Sequence, residues 1–222
     1  MSGSSTGSAY DAAGFFNRFA EAFDTLYDGK RNPLMRWVDR RFRSDMFLRF
    51  ALTFEVLGEL TGRTVLDIGC GSGPYVVEAL KRGARFVTAV DPAPNMLSLT
   101  RDRVATAGFN GRCHLVAGAF PGIALEPHDH AIVMGVMDYV EDAAAFLVAL
   151  RPLVQRSAAV SFPSKHWFRT PVRRIRYRLR RCPVYFYDEA DIRRLGSQAG
   201  FKAVDIKKIP GAGMDYHVCL RQ

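Results

Sequence analysis

The sequence has no acidic residue anywhere from Ala143 to Tyr187. Over that stretch ten Arg or Lys stand uncompensated, eight of them between Lys165 and Arg181, so this stretch alone outweighs the net charge of +9 of the whole chain. Cysteine is scarce as well. Cys70, Cys113, Cys182 and Cys219 lie far apart, too few to staple a chain of 222 residues and without the paired spacing of a zinc site, so they read as reduced thiols filling a core. No histidine pair has ligand spacing with a carboxylate or thiol, and no metal is expected. Nowhere do eighteen apolar residues run together, which excludes a membrane-spanning helix, and the start lacks the basic and apolar regions of a secretory signal. A cytoplasmic protein is expected. Residues 1–9 lack apolar periodicity and read as a disordered tail.

What is present divides into two patterns. Phe15, Phe16, Phe19, Phe23 and Tyr27 recur at helical spacing, and Asn32-Pro33 opens a second helix whose stripe runs through Leu34, Trp37, Val38 and Phe42 to Leu52, Val56 and Leu57. From Thr64 short β-rich runs alternate with helical ones, the signal of a parallel sheet covered on both faces. Strands are expected at 64–68, 85–90, 112–117, 130–134 and 157–162, with helices at 74–81, 94–107, 142–153 and 188–199. The last two strands, 201–208 and 214–221, are joined by Pro210-Gly211-Ala212-Gly213, too short for a crossover helix, so they pair antiparallel.

The first strand runs into Gly69-x-Gly71-x-Gly73 and then a helix opened by Pro74. Three residues without Cβ allow a tight turn and a ligand close to the backbone. A dinucleotide fingerprint places its third small residue at position 74, where Pro74 stands instead, and this spacing argues against NAD. Asp67, on the approach to the loop, suits a cationic amine better than a phosphate. Asp91 ends the second strand about twenty residues past the glycines, where an acid accepts from two ribose hydroxyls. A ligand with a ribose, a cation and no phosphate is implied.

These residues resemble the class I, seven-strand S-adenosylmethionine-dependent methyltransferases. Val65-Leu66-Asp67-Ile68-Gly69-Cys70-Gly71-Ser72-Gly73 is similar to that family's first motif, Ala89-Val90-Asp91-Pro92-Ala93-Pro94-Asn95-Met96-Leu97 to its second, and the run from Asp129 to Asp142 to its fourth. Gln198-Ala199-Gly200-Phe201 resembles its entry into strand six. The resemblance implies a doubly wound, Rossmann-like α/β sheet of seven strands with the last antiparallel, with S-adenosyl-L-methionine as cofactor and S-adenosyl-L-homocysteine as product. The helical pattern before the first strand reads as an N-terminal cap at 10–60 on a methyltransferase domain at 61–222, with a basic helical insertion at 163–187. The implied cofactor residues are Asp67, Gly69, Cys70, Gly71, Gly73, Asp91, Pro92 and Gly135, with Ala119 and Phe120 flanking the adenine. Ala119 stands where the family often has an Asp for the adenine amine.

Methyl transfer is an in-line displacement in which alignment and removal of water dominate, and an oxygen nucleophile gains from a base. Residues at the carboxyl ends of strands four and five are the candidates: Asp138 and Tyr139, and His166 with its ordinary pKa of ~6.5. Thr170-Pro171 opens a helix with Phe168, Val172, Ile175 and Leu179 on one face and arginines on the others. Such a helix fits either a solvated surface, the border of a substrate mouth through Tyr27, Trp167, Arg173 and Arg176, or peripheral contact of 165–181 with an anionic inner membrane. Met134-Gly135-Val136-Met137-Asp138-Tyr139 lacks the run that grips a flipped base, so nucleic acid is disfavoured as a partner. The expected reaction is O-methylation of a small or lipid-like, ring-bearing or anionic acceptor. C- or N-methylation, or a membrane- or RNA-associated binding module on the same fold, are the alternatives.

Overall fold

The computed structural model describes residues 46–165, 184–210 and 215–222. Their frame is one seven-stranded sheet: β1 (Thr64–Ile68), β2 (Phe86–Asp91), β3 (Cys113–Ala117), β4 (His128–Val133), β5 (Val154–Phe162), β6 (Ala203–Lys208) and β7 (Tyr216–Arg221). The order is β3-β2-β1-β4-β5-β7-β6. Strands β1 to β5 pair in parallel, and β7 runs antiparallel to both β5 and β6. The expected antiparallel partner of β6 is therefore found, inserted between β6 and β5.

Helices α1 (46–57), α2 (Pro74–Lys81) and α3 (Pro94–Thr106) precede α4 (Ala143–Leu150) and α5 (Glu189–Gln198). Two apolar clusters show that both faces of the sheet are covered. Phe54, Leu57, Val76 and Leu80 gather with Val87, Ile132 and Ala159 in one. Phe146, Leu147 and Ile192 gather with Val133, Val160 and Leu220 in the other. Continuous rather than alternating apolar runs in β1, β2 and β4 follow from this two-sided burial.

Differences from expectation are local. The helix expected over 142–153 starts one residue later because Asp142 is its cap, accepting from Ala145 N at 2.9 Å. It ends at Leu150, followed by a 3₁₀ turn at Arg151–Leu153, where Pro152 has no N–H to continue the α-helical ladder. Strand β4 begins at His128, two residues before the expected start, with a register shift between His128 and His130. These polar residues enter the sheet because each imidazole has a buried partner, Thr88 Oγ1 at 2.8 Å and Ser157 Oγ at 2.9 Å. The tail, the cap before residue 46 and most of the insertion (166–183) lie outside the described residues.

Candidate active site

The order of the sheet reverses between β1 and β4, and the carboxyl ends of strands on either side of such a point leave a crevice. A cavity of about 330 Å³ opens there, walled by the loop after β1, the ends of β2 and β4, and the loop after β3.

The loop is held from below by the backbone of β2. Gly69 N and Cys70 N both donate to Val90 O, at 2.8 and 3.0 Å, and Gly71 N donates to Asp91 Oδ2 at 2.9 Å. From α3, Thr100 Oγ1 donates to Gly71 O at 2.7 Å. Two glycines serve different ends. Gly69 has a φ of +73°, and a Cβ on it would lie 2.4 Å from Val136 Cγ2, so the site is closed by protein. Gly71 has a φ of +55° and nothing within 4 Å of where its Cβ would stand, so its open side faces the cavity. Gly73, in the left-handed region, caps α2, and Pro74 begins it.

Two acids give the site its electrostatics. Asp91 is 7% exposed on the cavity wall and accepts from Gly71 N and Ala93 N, one bond to each carboxylate oxygen. Burial raises its pKa and the two amide bonds oppose the rise. A carboxylate has about four acceptor positions, so two remain for ligand hydroxyls. Asp67 is 1% exposed and lies inside the wall rather than on it. Burial, then the charge of Asp91, pushes its pKa up to about 8, and its Oδ2 meets no hydrogen-bond partner. A cation brought to the loop would relieve that cost. The orphaned Asp67 oxygen, the open side of Gly71 and the unused capacity of Asp91 together fit a nucleoside that carries positive charge and no phosphate.

Of the other expected cofactor residues, Cys70, Pro92, Ala119, Phe120 and Gly135 all lie on the wall. Gly135 N donates to Ser161 Oγ at 2.7 Å, which fixes the turn leaving β4. Ala119 O is taken by Gly122 N at 2.8 Å. Phe120 meets the ring of Phe146 edge-on at 5.0 Å, which anchors its loop to α4. Asp138 and Tyr139 lie on the same wall, half-buried. Their turn is held by Tyr185 N donating to Asp138 O at 2.9 Å, and by the buried Tyr187 hydroxyl 3.4 Å from both Met137 O and Val140 O. Burial, with Asp138 nearby, raises the pKa of that Tyr187 hydroxyl.

His166, Tyr27, Trp167, Arg173 and Arg176 lie outside the described residues. Asp129, which begins the family-like fourth motif, is at the other end of the sheet. It accepts from Thr64 N and Thr64 Oγ1 and pairs with Arg63 and Arg156, a structural role. Sequence reasoning missed Arg49, Tyr75, Met96, Met134 and Asp215, all on the cavity wall. Tyr75 stands two residues past the first motif and Met96 lies inside the second, so both were within reach. Arg49 and Asp215 come from α1 and from the residue before β7, and no local spacing ties either to the glycine loop.

A protein-family model described as "Methyltransferase domain" matches residues 65–156. The "Ubiquinone biosynthesis O-methyltransferase" of Neisseria meningitidis serogroup A is 31% identical over 176 residues, covering 72% of this chain and 70% of that protein. In fold, the chain is similar to magnesium protoporphyrin IX methyltransferase from Synechocystis PCC 6803 with bound SAM. That match has a TM-score of 0.76, covers 99% of this chain and 98% of the other, and shows 18% identity. An S-adenosylmethionine-dependent methyltransferase from Mesorhizobium loti gives 0.66, over 80% of this chain and 98% of its own, at 16% identity. The glycine loop, the acids and the sheet order now have one explanation: the chain belongs to the class I S-adenosylmethionine-dependent methyltransferases.

Proposed function

We propose that this methyltransferase transfers its methyl group to a hydroxyl oxygen on a small, ring-bearing acceptor. The observation that carries the reading is the meeting of Asp138 and Tyr139 with the glycine loop on one cavity wall, at the carboxyl end of β4. The similarity to an O-methyltransferase of ubiquinone biosynthesis supports it.

Bound S-adenosylmethionine supplies an electrophilic methyl on a sulfonium. Everything else is the work of the chain. The loop from Gly69 to Gly73 receives the methionine part, Asp67 faces its ammonium, and Asp91 takes the ribose hydroxyls. Arg49 is the one cationic side chain on the cavity wall among the described residues, and we assign it to the methionine carboxylate, the cofactor's one anionic group. A phenolic hydroxyl has a pKa of ~10 and is scarcely ionised at neutral pH, so it needs a base to attack well. Asp138 accepts that proton, Tyr139 borders the acceptor ring, and the apolar side chains of Met134, Val136 and Val140 keep water from the line of attack.

The test is transfer of labelled methyl to a panel of catechols, hydroquinones, porphyrin carboxylates and matched amines. Methylated oxygen is the expected product. Asp138→Asn should lower kcat by about 100-fold or more while S-adenosylhomocysteine affinity stays within about twofold. Turnover confined to amines would overturn the reading.

A peripheral membrane contact is a second proposal. Phe47 and Leu48, on the first described turn of α1, are 68% and 36% exposed beside Arg49 and next in sequence to a basic stretch. Sedimentation with phosphatidylglycerol vesicles should fall in a Phe47→Ser/Leu48→Ser variant. Equal sedimentation of variant and parent would remove this contact.

A further inference from the structure

Behind Arg49, on the side away from solvent, lies a polar pair that the methyl-transfer reading does not use. Thr53 and His217 are 0% and 1% exposed, and neither lines the cofactor cavity. Thr53 stands one turn after Arg49 on α1, and its Oγ1 donates to Arg49 O at 2.8 Å. The hydroxyl proton is thereby committed. His217 Nε2, 3.1 Å from the same oxygen, must be the donor to it, which fixes the ring in the Nε2–H tautomer. His217 Nδ1 is left as a buried lone pair with no hydrogen-bond partner. Burial, then the charges of Arg49 and Lys207, lowers the His217 pKa to about 4 and keeps the ring neutral, with Glu55 opposing the shift. Thr53 Oγ1 also lies 3.7 Å from Met134 Sδ, on the cavity wall. One hydroxyl therefore joins α1 to β7 by hydrogen bonds and touches the residue that follows β4.

We infer that Thr53 and His217 are positioning residues that set where α1 presents Arg49 to the cofactor's carboxylate. A hydroxyl–imidazole bond buried between a helix and a sheet does not tolerate sliding, because any displacement leaves both groups desolvated and unpaired. An apolar pair at these positions would pack equally well but would not fix the helix along its axis.

The inference rests on the assignment of Arg49 to the carboxylate, and the experiment separates the two. Calorimetry is run with S-adenosylhomocysteine and with 5′-methylthioadenosine, which lacks the amino-acid part. Arg49→Gln should weaken S-adenosylhomocysteine about tenfold and leave methylthioadenosine unchanged, the loss of one hydrogen bond to a charged group. Thr53→Val and His217→Phe should do the same to a smaller degree, about three- to fivefold, while Thr53→Ser restores binding. Nitrogen-15 spectra of the His217 ring should show the Nε2–H form. If Arg49→Gln has no effect, the carboxylate assignment falls. If Arg49→Gln weakens binding but Thr53→Val and His217→Phe do not, or if they weaken both ligands equally, the positioning role falls. A ring protonated at Nδ1 would also overturn it.

Discussion

The two halves of the cavity are built in different ways. The cofactor half is made of backbone: Gly69, Cys70 and Gly71 donate three amides to β2, and the loop spans five consecutive residues. The other half is made of side chains, Asp138, Tyr139 and Asp215, brought from the loop after β4 and from the residue before β7. Backbone construction leaves little freedom, because each turn needs glycine at set places and an acid at the next strand's end. Side-chain construction leaves much, because many residue types on many elements fill the same space. This difference fits a cofactor held in common across a family and acceptors that vary.

The largest expected effect tests the backbone half at its one indispensable side chain. Asp91→Ala removes the acceptor of Gly71 N and Ala93 N as well as the proposed ribose contact. S-adenosylhomocysteine affinity should fall on the order of 100-fold, about 3 kcal/mol, in calorimetry. A loss below about fivefold would mean that the loop holds the nucleoside without β2, and the contrast between the halves would weaken.

Next in size is a pair of glycine substitutions that separates the loop's support from its function. Gly69→Ala drives a methyl into Val136 in a left-handed conformation, and stability should drop by about 2–3 kcal/mol in urea unfolding. Gly71→Ala has the conformational cost alone, about 1 kcal/mol, because its Cβ meets only open cavity. The order should invert for cofactor affinity measured on folded protein, with Gly71→Ala the worse of the two. Equal effects on both scales would show that the open side of Gly71 does not face the ligand.

The same division explains what was legible in the sequence. The antiparallel last pair and the helices at 74–81 and 188–199 followed from periodicity and from a connection too short for a crossover, whereas the seven-stranded Rossmann-like sheet came from the motif resemblance. Asp91 and the glycines were readable because their partners are local or one strand away. Asp67 was readable as an acid on the approach to the loop, but its burial inside the wall was not, since that depends on β2 and β4 closing over it. Arg49 stood in a basic stretch with no mark to distinguish it from Arg36 or Arg43. Its place on the wall comes from the packing of α1, and Thr53 and His217, 164 positions apart, have no shared pattern in sequence. Asp138 and Tyr139 were legible at the end of the fourth strand, whereas Arg49 and Asp215 were not, because they reach the cavity from elements far apart in the chain.

Titration gives a gentler test of Asp67, whose cost in the free protein the cofactor is expected to relieve. A folded pKa of about 8, above the ordinary 3.8 of an aspartate, means that the folded state binds the extra proton between those limits. The contribution of Asp67 to stability is therefore complete below pH about 4 and is lost as pH rises through about 8. His217 acts the other way: its pKa is lowered from 6.5 to about 4, so its contribution is intact above the first value and is lost as pH falls toward the second. Between pH 6.5 and 8 Asp67 acts alone of the two, and ligand-free wild type should lose stability with rising pH there while Asp67→Asn shows a flatter profile. Saturating S-adenosylhomocysteine, whose ammonium favours the ionised carboxyl, should flatten the wild-type slope as well and release protons on binding near pH 7. Calorimetry in buffers of different ionisation enthalpy measures that release directly, and no release would place the ammonium away from Asp67.

The smallest expected effect concerns Ala119, which the motif resemblance places beside the adenine where an Asp often stands. Its carbonyl is turned to Gly122 N at 2.8 Å and so is committed within its own loop. The loop also stays in place through Gly118 N, which donates to Asp91 O at 3.2 Å, and through the Phe120 contact with Phe146. A carboxylate introduced by Ala119→Asp would stand on the cavity wall, at the position proposed to flank the adenine. One added hydrogen bond to a neutral amine contributes about 0.5–1.5 kcal/mol, so S-adenosylhomocysteine should bind about two- to tenfold more tightly. The gain should vanish with a nucleoside whose exocyclic amine is replaced by oxygen. Tightening that survives this replacement would place the adenine elsewhere than beside Ala119.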